Sequence, residues 1–169
     1  MARLNRMIIL AAAVVFAALR GAAAEEPALI EFKILSPATA LEMAQAALRN
    51  CQDSGYQVAV SVVDRFGTPQ VLLRDRFAGP HTPETARRKA WTSISFRSDT
   101  LELSKLTVTD QPLSNIRFVS DALMVGGGVP VEAAGSIVGG IGVSGAPGGD
   151  ADDVCARAGI EAIADKIAF

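Results

Sequence analysis

His81 is the only histidine in 169 residues, so chemistry that needs an imidazole has one place to happen. It lies just before Thr82, Pro83 and Glu84, which read as the start of a helix. A helix N-terminus disfavours added positive charge, which keeps an imidazole neutral, and the neutral form binds metals. The competing reading is a histidine that caps the helix or sits at the surface. Arg87, Arg88 and Lys89 follow within two turns, and guanidinium groups there could grip ligand carboxylates. The other reading is a solvated helix face, with all three pointing mostly outward. A site built on several histidines is excluded, whether a zinc triad or a nucleophile relay.

The second chemical feature is glycine. Ten of the fifteen glycines fall between Gly126 and Gly149, among Val129, Val131, Ile137, Val138, Ile141 and Val143. Glycine weakens a strand, so such a run marks bends or places where something lies close to the backbone. Two readings stand side by side: a helix packed tightly on a bare sheet, or a ligand or subunit resting there. Under the second, Gly126, Gly127 and Gly128 are binding residues. The run is no nucleotide fingerprint, because Gly126–Gly128 precedes a strand and Gly145–Gly149 is not followed by Lys-Thr or Lys-Ser. Asp150, Asp152 and Asp153 read as first-turn acids of a helix rather than a calcium loop. Ser136 and Ser144 have no elbow or base around them, so the residues themselves give no support for an enzyme.

Cys51 and Cys155 are an even pair. In an exported chain they point to a disulfide, the alternative being two buried thiols. Export is expected from the start of the chain. Arg3 and Arg6 precede an apolar run from Met7 to Leu19, and Ala22-Ala23-Ala24 offers a small-residue cleavage site before Glu25. Residues 1–24 are therefore read as a signal peptide, and 25–169 as one domain destined for the periplasm or the medium. Cleavage removes three arginines and no acid, taking the formal charge from −2 to −5. That balance argues against nucleic acid or an anionic membrane surface as partner.

The elements that must carry these residues follow from periodicity and caps. Leu29–Leu35 reads as a first strand or extended lead-in. Ser36-Pro37 starts a helix that ends at Gly55, with Leu41, Ala44, Leu48 and Cys51 as its apolar stripe. Gln57–Asp64 and Gln70–Arg74 are strands around a turn at Arg65–Thr68. Thr82 caps a second helix with Ala86, Ala90 and Ile94 inward, and Ser98-Asp99 caps a short third through Leu106. Ile116–Val119 is expected to be extended. Leu123–Val125, Gly128–Ala133 and Ser136–Ser144 read as strands. A last helix begins at Asp150, with Val154, Ala158, Ile160 and Ile163 inward. Hairpins dominate, so the fold class is α+β: an antiparallel, roughly five-stranded sheet with flanking helices, in profilin- or PAS-like layers.

Three blocks carry a family resemblance: VAVSVVDRFGTPQVLLRDRFAG, ARRKAWTSISFRSDT, and GGGVPVEAAGSIVGGIGVSGAPGGDADDVCARAGIEAI. In this order and spacing, over Ile34–Ile167, they resemble the GlcG/HbpS family of haem-binding and haem-degrading-type domains. The same domain is found at the C-terminus of PduO-type corrinoid adenosyltransferases. The resemblance implies haem as cofactor and self-assembly to tetramers or octamers. For exported members it implies a membrane sensor protein as a possible partner. The family's short RMDGA-like segment is replaced here by Arg74–His81. From residue chemistry, His81 would ligate the iron, and Arg87 and Arg88 would hold propionates. The expected function is haem sensing, scavenging or protection. The alternative is an enzyme or accessory subunit acting on a small organic acid or a corrinoid-related compound.

Overall fold

The computed structural model describes residues 26–168. The expected signal peptide, residues 1–24, lies outside the described residues. Two units are distinguished, ending and beginning at Phe32 and Lys33. In the first, residues 26–32 are exposed and carry no helix or strand. The second carries all the helices and strands described.

Helix α1 spans Pro37–Asp53. Ser36 sits in an extended conformation and its side chain accepts a hydrogen bond from the Thr39 amide, with proline following at the first helical position. Strands β1 (Ala59–Asp64) and β2 (Pro69–Arg74) form the first hairpin. Helix α2 spans Thr82–Phe96 and α3 Thr100–Leu106. Strands β3 (Gly128–Ala133) and β4 (Ser136–Ser144) form the second hairpin. Helices α4 (Gly149–Glu161) and α5 (Ala164–Ile167) close the chain.

The sheet is antiparallel with order β2-β1-β4-β3. Among the described residues it has four strands, one fewer than the rough count of five. Leu35 touches the sheet through one backbone bond, its amide donating to Val138 O at 3.4 Å, and stops short of a ladder. Leu123–Val125 is no strand either. The Val125 amide donates to Leu123 O at 2.9 Å, a tight turn that uses the groups a ladder would need. Ile116–Val119, expected to be extended, falls largely in a 3-10 turn over Ser114–Phe118.

Alternation along β1 and β4 divides the core between two faces of the sheet. Val60, Val62, Ile141 and Val143 pack with Met43, Ala44, Ala47 and Ala156, from α1 and α4. The opposite face holds Ser61, Gly140 and Gly142, and α2 lies on it. The two helices of the first face are joined by the Cys51–Cys155 disulfide, with the Cα atoms 5.5 Å apart. This realises the expected pairing.

The glycines explain how closely α2 approaches. A Cβ at Gly142 would lie 2.1 Å from Ala86 O, and one at Gly128 would lie 2.3 Å from Lys89 O. The helix backbone rests directly on the strand backbones. Of the two readings of the glycine run, the packed helix is the one realised at these positions. The bare backbone is covered from within the chain and is not available to a flat guest.

Two apolar stripes are rotated from expectation. In α1 the buried residues are Ala40, Met43, Ala44, Ala47 and Cys51, while Leu41 is 39 % exposed. In α4 Val154 is 62 % exposed and Asp152, Asp153, Cys155, Ala156 and Gly159 are buried, while Ile160, and Ile163 just past the helix, face the core as expected. Small residues face in because the helices sit close; a Cβ at Gly159 would meet Met43 O at 2.8 Å.

Candidate functional site

The start of α2 is fixed by a short bonded turn. The Thr82 amide and hydroxyl both donate to Gly79 O, at 3.0 and 2.8 Å. The Thr85 amide and hydroxyl both donate to His81 O, at 3.1 and 2.9 Å. His81 rather than Thr82 is therefore the N-cap residue, and its side chain makes no capping bond. The imidazole is exposed and folds back over Gly79, where a Cβ would come 2.7 Å from His81 Cε1. A glycine is needed there for the ring to lie that way.

His81 stands at a cleft of about 290 Å³ whose other walls include Thr85, Val125, Ser144, Gly145 and Gly149. Lys89 and Asp152 also line it. Lys89 is 1 % exposed, which corrects the expectation that it points outward. Its Nζ donates to Asp152 Oδ2 at 2.7 Å and to Val143 O at 2.9 Å. Asp152 Oδ1 accepts from the Ala146 amide at 3.0 Å. Asp152 is thus not merely a dipole-favouring acid; it is the counter-ion of a buried cation. Burial is the largest influence on both groups, pushing the Lys89 ammonium below its usual range and the Asp152 carboxyl above its own. The sequence held a signal for this pair. Ala86, Lys89, Ala90 and Ser93 share one helical stripe, so Lys89 lies on the inward face.

Arg87 and Arg88 do not converge on His81. Arg87 donates to Glu84 at 2.7 and 2.9 Å and to Asp121 at 2.6 Å. Those partners hold the Arg87 charge firmly, and the hydrogen bond from Arg87 in turn lowers the Glu84 carboxyl. Arg88 donates to Asp121 O and Ala122 O at 3.2 and 2.7 Å. Both guanidinium groups thus clasp the chain before β3, Arg87 through Nη2 and Arg88 through Nε and Nη2. Gly126, Gly127 and Gly128 are likewise used internally. Gly126 abuts the Gly149 backbone, and Gly127 (φ +109°) fits between Asp152 and Val143. Among the described residues no group of three His, Cys, Asp or Glu side chains is placed to hold a metal. No helix among them is long and apolar enough to cross a membrane.

The fold and the sequence have counterparts in known proteins. The family described as haem degrading protein HbpS-like matches residues 35–161. A crystal structure of a double mutant of HbpS from Streptomyces reticuli superposes with a TM-score of 0.76 at 38 % identity, covering 83 % of this chain and 94 % of that one. The PduOC:Heme complex superposes with a TM-score of 0.73 at 30 % identity, over 77 % of this chain and 95 % of that one. The corrinoid adenosyltransferase PduO of Citrobacter freundii is 30 % identical over 132 residues, which is 76 % of this chain and 38 % of PduO. The chain therefore spans well under half of that curated relative. The fold, the matched span and these likenesses agree, and the chain belongs to the HbpS-like family of haem-degrading-type proteins.

Proposed function

We propose that this chain is an exported, self-assembling haem-binding protein, with His81 as the iron ligand. The observation that carries the reading is the placement of His81 in a family with a haem-bound relative. Its imidazole is exposed, has no capping bond, and faces a cleft walled by Val125 and by the glycines of the 145–149 loop. An exposed imidazole nitrogen free of a capping bond would be able to ligate haem iron. Bound haem would supply the iron centre and its redox chemistry. The chain's own part is to offer one nitrogen and to fix the backbone that carries it through the bonds of Thr82 and Thr85.

The cleft of about 290 Å³ is at the small end for a ligand site and cannot enclose a macrocycle. A second copy would have to cover the rest, which supports the expectation of self-assembly to tetramers or octamers. Export rests on residues 1–24, and the disulfide between Cys51 and Cys155 fits an oxidising compartment. The periplasm or the medium is the place we propose, with a membrane sensor as a candidate partner.

The test is a hemin titration of the processed chain, followed by its Soret band and by size-exclusion. His81→Ala should shift the band and weaken binding at least tenfold while the oligomer persists. An unchanged spectrum and affinity in His81→Ala would reject the ligand assignment; no uptake by the wild type would reject haem binding. The PduO match favours a second reading, an accessory domain for corrinoid chemistry. Cobalamin binding without hemin binding would select it. The mature chain should begin at Glu25 by intact mass; retention of residues 1–24 in the exported fraction would contradict processing.

A further inference from the structure

The two edges of the sheet differ. On β3, the Val143 amide donates to Gly127 O at 2.9 Å, so in the observed register Gly128 and Pro130 turn their backbone groups away from β4. The Gly128 amide donates to Thr100 Oγ1 at 2.8 Å, and Pro130 has no N–H, which closes this edge. On β2, the Asp75 amide donates to Val58 O at 2.9 Å, so Leu72 and Arg74 face away from β1. Both residues are exposed, and their backbone N–H and C=O groups have no partner among the described residues. The β2 edge is open, a template for one more strand.

Residues 26–34 carry the pattern of such a strand. They lie in no helix or strand and all are exposed. Ile30, Phe32 and Ile34 alternate with Glu31 and Lys33, as in a strand with one buried face. Here those three apolar side chains are 63, 51 and 52 % exposed.

An antiparallel pairing that sets Glu31 opposite Arg74 and Lys33 opposite Leu72 matches the two. Leu72 and Arg74 then each exchange two backbone hydrogen bonds with the added strand. Phe32 and Ile34 fall beside Leu73 and Val71, which are only partly buried against the core. Glu31 meets an Arg74 guanidinium of which only Nη2 is engaged, by Ala78 O. Asp75 lies on the other face and accepts from Gln52 Nε2 at 2.6 Å. A parallel arm would bring Lys33 toward Arg74 instead.

The chain cannot place its own arm in this register. The Leu35 amide donates to Val138 O on β4 at 3.4 Å, and β1 and β2 lie between β4 and the open edge. A strand beyond β2 stands about 14 Å from β4. The two residues from Leu35 back to Lys33 reach about 7 Å. The donor is therefore a second molecule.

We propose that the β2 edge is an interface between copies of this chain, each receiving residues 29–34 of its neighbour as an added antiparallel strand and giving its own in return. This rests on the reading that the protein self-assembles, and names the surfaces involved.

The test uses the processed chain without hemin. In Phe32→Cys/Leu73→Cys the paired Cα atoms would lie about 4.5 Å apart, within disulfide range. Oxidation should give a covalent dimer on a non-reducing gel and a 32–73 peptide pair by mass spectrometry. The same link within one chain, or no link, overturns the proposal. A second measurement follows amide exchange at Leu72 and Arg74 in concentrated protein. It should be at least tenfold faster in Phe32→Asp, a change at an exposed position, than in the wild type. Equal exchange overturns the proposal. Oligomers on size-exclusion that form without the link refute this interface and leave self-assembly standing, whereas a wild type that is monomeric at every concentration refutes both.

Discussion

Lys89 Nζ and Asp152 Oδ2 lie 2.7 Å apart with both side chains 5 % exposed or less, tying α2 to the first turn of α4 beneath the His81 cleft. Val143 O and the Ala146 amide complete the cluster, so helix, strand and loop meet at one ion pair. Removing one partner strands a buried charge, which costs about 3–5 kcal/mol. Asp152→Asn and Lys89→Met should each lose stability on that scale in urea unfolding. The double variant Lys89→Met/Asp152→Leu should lose clearly less than the sum. Additive losses would mean the pair is not coupled.

The same pair gives the protein a pH signature. Asp152 titrates above 3.8 in the folded chain, so above pH 3.8 the native state keeps a proton that the unfolded state has released. Stability should fall as pH rises through that window. Lys89 titrates below 10.5, so just below pH 10.5 the unfolded state holds the extra proton and stability should rise with pH. Denaturation midpoints of the wild type and the double variant, compared across pH, should differ in slope in both windows. Parallel curves would contradict the assignment.

The disulfide closes a loop across a separation of 104 residues. In the chain-entropy view such a closure stabilises by roughly 4–5 kcal/mol. The Cys51→Ala/Cys155→Ala variant should unfold at markedly lower urea concentration. Thiol labelling of unfolded, unreduced protein should find no free cysteine. Two labelled sites per chain would refute the bridge.

Glycines of the second hairpin should differ sharply in tolerance. Gly142→Ala puts a Cβ 2.1 Å from Ala86 O and 2.6 Å from the Ala90 amide nitrogen, both backbone atoms. The helix must move, at a cost of about 3 kcal/mol or more. Gly135→Ala meets open space and only the strain of φ +72°, about 1 kcal/mol, beside an Ala134 already at φ +50°. Similar melting temperatures for the two variants would show that α2 does not sit as tightly as described.

Much of the fold was legible because its signals are local. Ser36-Pro37 starts α1 where expected, and the valine alternation places β1. The glycine hairpin and the cysteine pair also appear as read. The site was less legible. Arg87 and Arg88 have the chemistry to hold a carboxylate, but the chain that returns at Asp121 and Ala122 engages donors of both. Val154 is apolar and correctly spaced, yet it faces out because the closer-packed side of α4 admits only small or paired residues.

What the sequence by itself determined is the set of elements, since caps, turns and periodicity act between residues a few positions apart. It also determined the single imidazole and its place at a helix start. Tertiary structure alone decided which charges are spent inside the molecule and which hydroxyl is left unpaired. Those outcomes depend on which groups from distant segments share one desolvated volume: Lys89 with Asp152, Arg87 with Asp121, and Ser61 with no partner among the described residues.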